Sequence, residues 1–140
     1  MRILIIEDSD SISRMIEALV SGRGHVVETA ASGTRGIELA FANAPDVVLL
    51  DLNLPGSFDG YEVCERLRAQ PTTKSVPIVI ISAIEDEESK TRALNAGANA
   101  YYTKPFSPMA LLKEIEGVRA RRDSDGGNMP DAPAPEPPKE

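Results

Sequence analysis

The strongest constraint on the fold is the regular alternation between short apolar runs and segments with helical periodicity. Three of the runs, within residues 2–7, 46–51 and 77–82, contain almost no polar residue between their ends. Such continuous runs are typical of strands that are covered on both faces of a sheet. Strands that alternate with helices pair in parallel through right-handed crossovers. The sequence therefore predicts an α/β fold, a doubly wound five-stranded parallel sheet with helices on both faces.

The predicted elements form five consecutive strand–helix units. The strands are expected at residues 2–7, 25–29, 46–51, 77–82 and 98–103, and the helices at 9–20, 33–43, 60–69, 86–96 and from 107 onward. In sheets of this kind, ligands bind beyond the carboxyl ends of the strands. The residues that follow each strand are therefore the first candidates for a functional site.

Composition excludes several classes of function. The net charge of −7 argues against a nucleic-acid binder that works through a basic face of its own. A single Cys and a single His exclude a disulfide framework and a Cys-rich or His-rich metal site. No apolar run is long enough for membrane insertion or for a signal peptide. These features predict a cytoplasmic protein.

The amino-acid composition of the chain changes near its end. Residues 122–140 hold five of the eleven prolines, several acidic residues and a single large apolar side chain. Such a segment buries too little surface to offset its ordering entropy. We expect one globular domain at 1–121, followed by a disordered, Pro-rich acidic tail or linker at 122–140.

Charged and polar side chains follow four of the predicted strands. Glu7 and Asp8 follow the first strand, Asp51 the third, Ser82 the fourth and Lys104 the fifth. Crowded carboxylates repel one another, and a hard divalent cation with oxygen ligands removes the repulsion. Mg²⁺ fits this pattern because it accepts a few carboxylates and keeps water sites for an incoming phosphate. An Asp that attacks phosphorus would form an acyl phosphate.

At these residues the sequence resembles the receiver domains of two-component response regulators, which have a flavodoxin-like fold. The resemblance rests on the segments ILIIEDSD, VVLLDLNLPG, DGYEV, PIVIISA and ALNAGANAYYTKPF, and it extends from residue 2 to about residue 119. It implies that Asp51 is the phosphoacceptor. It further implies a site for Mg²⁺, or Mn²⁺, formed by Glu7, Asp8 and Asp51 with the backbone carbonyl of Asn53.

The resemblance also assigns roles at the ends of the last two strands. Ser82 corresponds to the hydroxyl that binds the phosphoryl group and switches, and small Ala83 leaves room for the phosphodonor. Lys104 corresponds to the lysine that pairs with the phosphoryl group, and Pro105 to a proline that often follows a cis bond. Tyr101 corresponds to the aromatic that swings inward when the hydroxyl moves.

Three positions add expectations of their own. Glu7 stands where Asp is commoner, and its longer side chain still reaches a water-mediated metal contact. The loop after Asp51 is one residue longer than the usual form, with Ser57 and Phe58 as the extra bulge, most simply a tolerated surface insertion. Ile84 is expected to exclude water and to slow loss of the phosphoryl group.

The implied function is to receive a phosphoryl group from a histidine kinase or a histidine phosphotransfer protein. The chain would not be an enzyme beyond its own phosphorylation and dephosphorylation. A downstream protein would dock on the fourth helix, fifth strand and fifth helix, with no direct contact to nucleic acid. The chain could act as a monomer or dimerise on phosphorylation.

Three alternatives remain beside this interpretation. A haloacid-dehalogenase type of phosphatase needs a second Asp two residues after the nucleophile, and Asn53 occupies that position. A receiver-like interaction module would keep the fold without phosphorylation. The chain could also be the receiver fragment of a longer multidomain regulator.

Overall fold

The computed structural model of the protein describes residues 1–125 as five strands and five helices in strict alternation. The strands are β1 (Arg2–Ile6), β2 (Val26–Ala30), β3 (Val47–Leu50), β4 (Ile78–Ser82) and β5 (Ala100–Thr103). The helices are α1 (Asp10–Ser21), α2 (Gly33–Ala42), α3 (Gly60–Ala69), α4 (Glu87–Ala96) and α5 (Pro108–Asp125). The predicted alternation is confirmed, with ends that differ by one or two residues in most elements.

The strands form one parallel sheet in the order β2-β1-β3-β4-β5. This is the doubly wound, flavodoxin-like order, in which the direction of winding reverses beside β1. The predicted fold class is therefore confirmed. The reversal brings the carboxyl ends of β1 and β3 side by side, because these two strands are hydrogen-bonded neighbours.

Side-chain alternation divides the core into two layers. Leu4, Val48 and Ile80 point to one face of the sheet and pack with residues of α2, α3 and α4. Ile3 and Leu49 point to the other face and pack with residues of α1 and α5. Because both faces are covered, the strands carry continuous apolar runs rather than an apolar and polar alternation.

The last helix continues to Asp125, four residues beyond the predicted domain end at residue 121. Residues 126–140, which make up most of the predicted tail, lie outside the described residues. Among residues 1–125, no helix combines the length and the apolar character that a membrane span needs.

Candidate functional site

Three carboxylates meet at the edge where the strands end. Glu7 follows β1, Asp51 follows β3, and Asp8 extends the first loop. One carboxylate oxygen from each of the three lies within 4.8 Å of the others. Glu7 and Asp51 are each 5% exposed, whereas Asp8 is exposed to solvent. The structure thus brings together the three acidic residues that the sequence analysis selected.

Lys104 connects two of these carboxylates. Its ammonium nitrogen lies 3.0 Å from Glu7 Oε1 and 3.2 Å from Asp51 Oδ2. The remaining oxygens accept backbone hydrogen bonds, Glu7 Oε2 from Ser9 N–H at 3.0 Å and Asp51 Oδ1 from Asn53 N–H at 3.1 Å. Both buried carboxyl groups are therefore held on both oxygens, as buried charge requires.

Burial and the contact between Glu7 and Lys104 have opposite effects on the pKa values of these two residues. Burial raises the pKa of Glu7 above its ordinary value, with a further contribution from the neighbouring charge of Asp51, although the Lys104 hydrogen bond opposes the rise. Burial alone would lower the pKa of Lys104, but the hydrogen bond that Lys104 donates to Glu7 and the charge of Asp51 outweigh it, so the pKa is raised. Lys104 therefore remains a cation at neutral pH and balances part of the acidic charge.

The donor set suits a hard divalent cation. Three carboxylates in reach of one another offer oxygen ligands only, which Mg²⁺ and Mn²⁺ accept. One ammonium cannot neutralise three carboxylates, so the cluster keeps a net negative charge that favours a cation. Asn53, whose backbone carbonyl is the fourth predicted ligand, lies two residues beyond Asp51 and is exposed.

Ser82 and Tyr101 are linked through the backbone of Ile84. The Ser82 side chain is fully buried, and its Oγ accepts a hydrogen bond from Ile84 N–H at 3.1 Å. The Tyr101 hydroxyl donates to the Ile84 carbonyl at 2.7 Å. Ala83, between Ser82 and Ile84, is exposed. The predicted switch hydroxyl and the predicted switch aromatic therefore share a three-residue segment at the end of β4.

The end of β5 completes this edge. Lys104 N–H donates to the Ser82 carbonyl at 2.8 Å, which brings the Lys104 backbone to the end of β4. The Lys104–Pro105 peptide bond is cis, as the resemblance led us to expect. The roles of these residues toward a phosphoryl group stay predictions.

The loop between β3 and α3 closes directly onto the candidate phosphoacceptor. Gly60 N–H donates to the Leu52 carbonyl at 3.0 Å. A Cβ atom at Gly60 would lie 2.5 Å from the Asp51 carbonyl oxygen, so no larger residue fits there without moving the backbone of Asp51. The predicted bulge at Ser57 and Phe58 therefore lies between two points that are fixed beside the site.

Phe58, in the predicted bulge of this loop, contacts α3. Its ring lies 4.2 Å from the guanidinium carbon of Arg66 on α3. Sequence analysis missed this contact, and the local signal there predicts that Phe58 packs on the first turn of α3 rather than on Arg66 in the second turn. Asp59 and Glu62 form a capping box at the start of α3. An apolar residue directly before such a cap commonly packs on the first helical turn.

Comparisons with known proteins point to one family. The family model described as the response regulator receiver domain matches residues 3–116. The response regulator PleD of Caulobacter vibrioides is 32% identical over 117 residues, which are 84% of this chain and 26% of PleD. The chain spans between 26% and 56% of the lengths of the curated relatives that head the comparison.

Solved structures agree in fold. The chemotaxis protein CheY4 of Vibrio cholerae has a TM-score of 0.78 and 32% identity, covering 84% of this chain and 97% of CheY4. The receiver domain of a sensor histidine kinase from Pseudomonas aeruginosa has a TM-score of 0.78 and 30% identity, covering 85% and 97%. In that structure a magnesium ion is coordinated in the active site cleft.

Proposed function

Because the chain belongs to the response regulator receiver domain family, we propose that Asp51 accepts a phosphoryl group from a histidine kinase or a histidine phosphotransfer protein. The observation that carries the proposal is the convergence of Glu7, Asp8 and Lys104 on the Asp51 carboxylate. Burying two carboxylates side by side, as Glu7 and Asp51 are buried here, is costly, and costly charge clusters are typical of functional sites.

The transfer needs no general base. The Asp51 carboxylate attacks the phosphorus of a phosphohistidine, so that a P–O bond forms as the P–N bond breaks. The electron pair of the P–N bond returns to the imidazole nitrogen, which takes up a proton. Phosphoryl transfer depends mainly on positioning and on charge stabilisation. Asn53 N–H and Lys104 already hold the two oxygens of Asp51.

Charge balance explains the rest of the site. Mg²⁺, when bound by Glu7, Asp8, Asp51 and the carbonyl of Asn53, would offset negative charge on the phosphoryl oxygens. Lys104 shares its ammonium between two carboxylates and can turn to an arriving phosphoryl oxygen while it stays near the acidic cluster. Exposed Ala83 leaves the approach open, and Ser82 provides a hydroxyl for the bound group.

We propose that the phosphorylation signal reaches a downstream protein through the surface formed by α4, β5 and α5. A movement of Ser82 toward the phosphoryl group would pull on the segment that holds the Tyr101 hydroxyl. Two large apolar side chains, Leu94 on α4 and Met109 on α5, are 37% and 61% exposed. A downstream protein partner would bind this surface, and dimerisation on phosphorylation would use the same surface.

The proposed activity resides in this domain. The chain would catalyse its own phosphorylation and dephosphorylation and no reaction on another substrate. Its signal would pass to a protein in the cytoplasm rather than directly to nucleic acid, since the net charge is −7. The chain spans only 26% of PleD, so the proposal extends no further than the receiver domain.

A small phosphodonor tests the proposal directly. The purified chain is incubated with acetyl phosphate and Mg²⁺, and intact mass and peptide mapping follow the gain of one phosphoryl group. We expect a Mg²⁺-dependent gain at Asp51, lost in Asp51→Asn and retained in Asp46→Asn. Asp46 is a matched control because it flanks the same strand at the opposite end, where it binds Arg2 N–H.

The opposite result has a defined meaning. No mass gain on the wild-type chain, with a clear gain on a known receiver in the same buffer, would contradict the proposal. It would favour an interaction module that works without phosphorylation. A mass gain that persists in Asp51→Asn would show that another residue is the phosphoacceptor.

A further inference from the structure

We propose that Phe58 and Arg66 form a latch that holds the loop between β3 and α3 in place and thereby positions Asp51. The inference rests on the proposed function in assigning Asp51 as the phosphoacceptor. It concerns positioning residues, because neither Phe58 nor Arg66 belongs to the acidic cluster.

The first half of the latch is a cation over an aromatic face. The Arg66 guanidinium carbon lies 4.2 Å from the centroid of the Phe58 ring, well inside the range of a cation–π contact. Among the described residues, this ring is the one partner of the Arg66 guanidinium. No competing ion pair in that part of the chain draws Arg66 away from the loop.

The second half is close packing against α2. A Cβ atom at Gly33, the first residue of α2, would lie 2.7 Å from the Phe58 carbonyl oxygen and 3.1 Å from the Phe58 Cβ. It would also lie 2.8 Å from a methyl carbon of Val63. Phe58 therefore contacts the start of α2 with its backbone and offers its ring to α3, so the loop is attached to two helices.

The loop contacts Asp51 at both of its ends, so its attachment to α2 and α3 affects the site. At its start, Asn53 N–H donates to Asp51 Oδ1 and sets the orientation of the carboxylate. At its end, Gly60 rests on the backbone of Asp51 and Leu52. A movement of the loop would therefore reach the reacting carboxylate directly.

The middle of the loop explains why a latch is useful. Pro55, Gly56 and Ser57 are exposed, and Gly56 has a φ of 91°, a conformation that glycine adopts freely. Exposed residues around a glycine can visit several conformations. Without Phe58 and Arg66, the hydrogen bond from Asn53 N–H to Asp51 would open more often.

The test compares four variants with the wild-type chain. Phe58→Leu keeps an apolar side chain but removes the aromatic face, and Arg66→Gln keeps a polar side chain but removes the charge. Phe58→Tyr retains the aromatic face, and Arg66→Lys retains the positive charge. Arg35→Gln is a control for loss of one positive charge, because Arg35 is exposed on α2 and pairs with Glu38.

Two measurements on the unphosphorylated protein give the decisive results. Amide hydrogen exchange at Asn53 is measured by NMR without metal, and the Mg²⁺ dissociation constant is measured by calorimetry. We expect Phe58→Leu and Arg66→Gln to speed exchange at Asn53 and to weaken Mg²⁺ binding by about two- to fivefold. The conservative variants and Arg35→Gln should stay near wild type.

Outcomes against the latch are equally definite. Unchanged Asn53 exchange in both Phe58→Leu and Arg66→Gln would overturn it, and so would an equal loss in Arg66→Lys and Arg66→Gln. These measurements require no phosphoryl transfer, so they test the latch even if the wild-type chain fails to accept a phosphoryl group. A failure of the latch would in turn leave the phosphorylation of Asp51 untouched.

Discussion

The Tyr101 hydroxyl donates a hydrogen bond to the Ile84 backbone carbonyl at 2.7 Å, across the gap between β5 and the segment after β4. The same Ile84 donates its N–H to Ser82 Oγ. One residue thus connects a buried hydroxyl at the site to an aromatic side chain on the proposed docking surface. Burial raises the pKa of the Tyr101 phenol, so the hydroxyl stays protonated and remains a donor at neutral pH.

Removing this hydrogen bond should loosen the segment after β4. Tyr101→Phe keeps the ring and leaves the Ile84 carbonyl without its donor, so the free energy of unfolding should fall by about 0.5–1.5 kcal/mol. Urea denaturation monitored by circular dichroism measures the change. An unfolding curve that coincides with the wild-type curve would show that the hydrogen bond contributes nothing to stability.

The charge of Glu7 should cost stability when no metal is present. Because burial raises the folded-state pKa of Glu7, its favourable contribution belongs to the protonated form and is lost as pH rises through the raised value. In EDTA, the free energy of unfolding of Glu7→Gln should therefore rise relative to that of wild type as the pH increases from acid to neutral. Exposed Glu65→Gln is the control, and thermal melts across this pH range give the comparison. A difference between Glu7→Gln and wild type that does not grow with pH would contradict the assignment.

The side chain of Ile84 should protect the phosphorylated form. Ile84 is half-buried and packs against the core at the end of β4, two residues from Ser82. Ile84→Glu replaces this apolar surface with a carboxylate that can orient water, so we expect the phosphoryl group to be lost several times faster. Decay of the phosphorylated form after removal of the donor is the measurement. Equal or slower decay would reject the idea.

Arg68 should matter for stability at the end of the sheet opposite the site. Its guanidinium donates to the carbonyls of Gly97, Lys74 and Val76, with N···O distances of 2.6–3.0 Å. Arg68→Met would leave these carbonyls without a charged donor, and we expect a loss of about 1.5–3 kcal/mol. Arg35→Met, which breaks an exposed ion pair, should cost less than about 0.5 kcal/mol. Similar losses in the two variants would contradict this ranking.

The thiol of Cys64 should be inert in the folded protein. The side chain is 1% exposed, and burial raises its pKa to about 11. A thiol reagent such as DTNB should therefore leave the native chain unmodified at pH 8 and should react completely in denaturant. Rapid reaction without denaturant would indicate that α3 opens locally.

The sequence predicted α3 without error because its signals are local. The start of the helix depends on Asp59 and Glu62, three residues apart, which form the observed capping box.

The apolar pattern predicts that β5 begins at Ala98, which is two residues too early. Ala98 N–H bonds to the Ala93 carbonyl as part of the end of α4, and Asn99 N–H bonds to the Ile78 carbonyl before the ladder begins. The Ile78 partner lies 21 residues away in β4, so a local pattern could not show where the ladder begins.

Taken alone, the sequence determined the order of the elements, the buried strands and the edge that collects Glu7, Asp8, Asp51, Ser82 and Lys104. Periodicity reports burial, and burial is a property of each segment. Only the tertiary structure decided that Lys104 bridges Glu7 and Asp51, across 53 residues of chain from Asp51, and that Arg66 covers the ring of Phe58. Such contacts depend on strand order and loop path, which arise when all segments pack together and leave no trace in the spacing of any one of them.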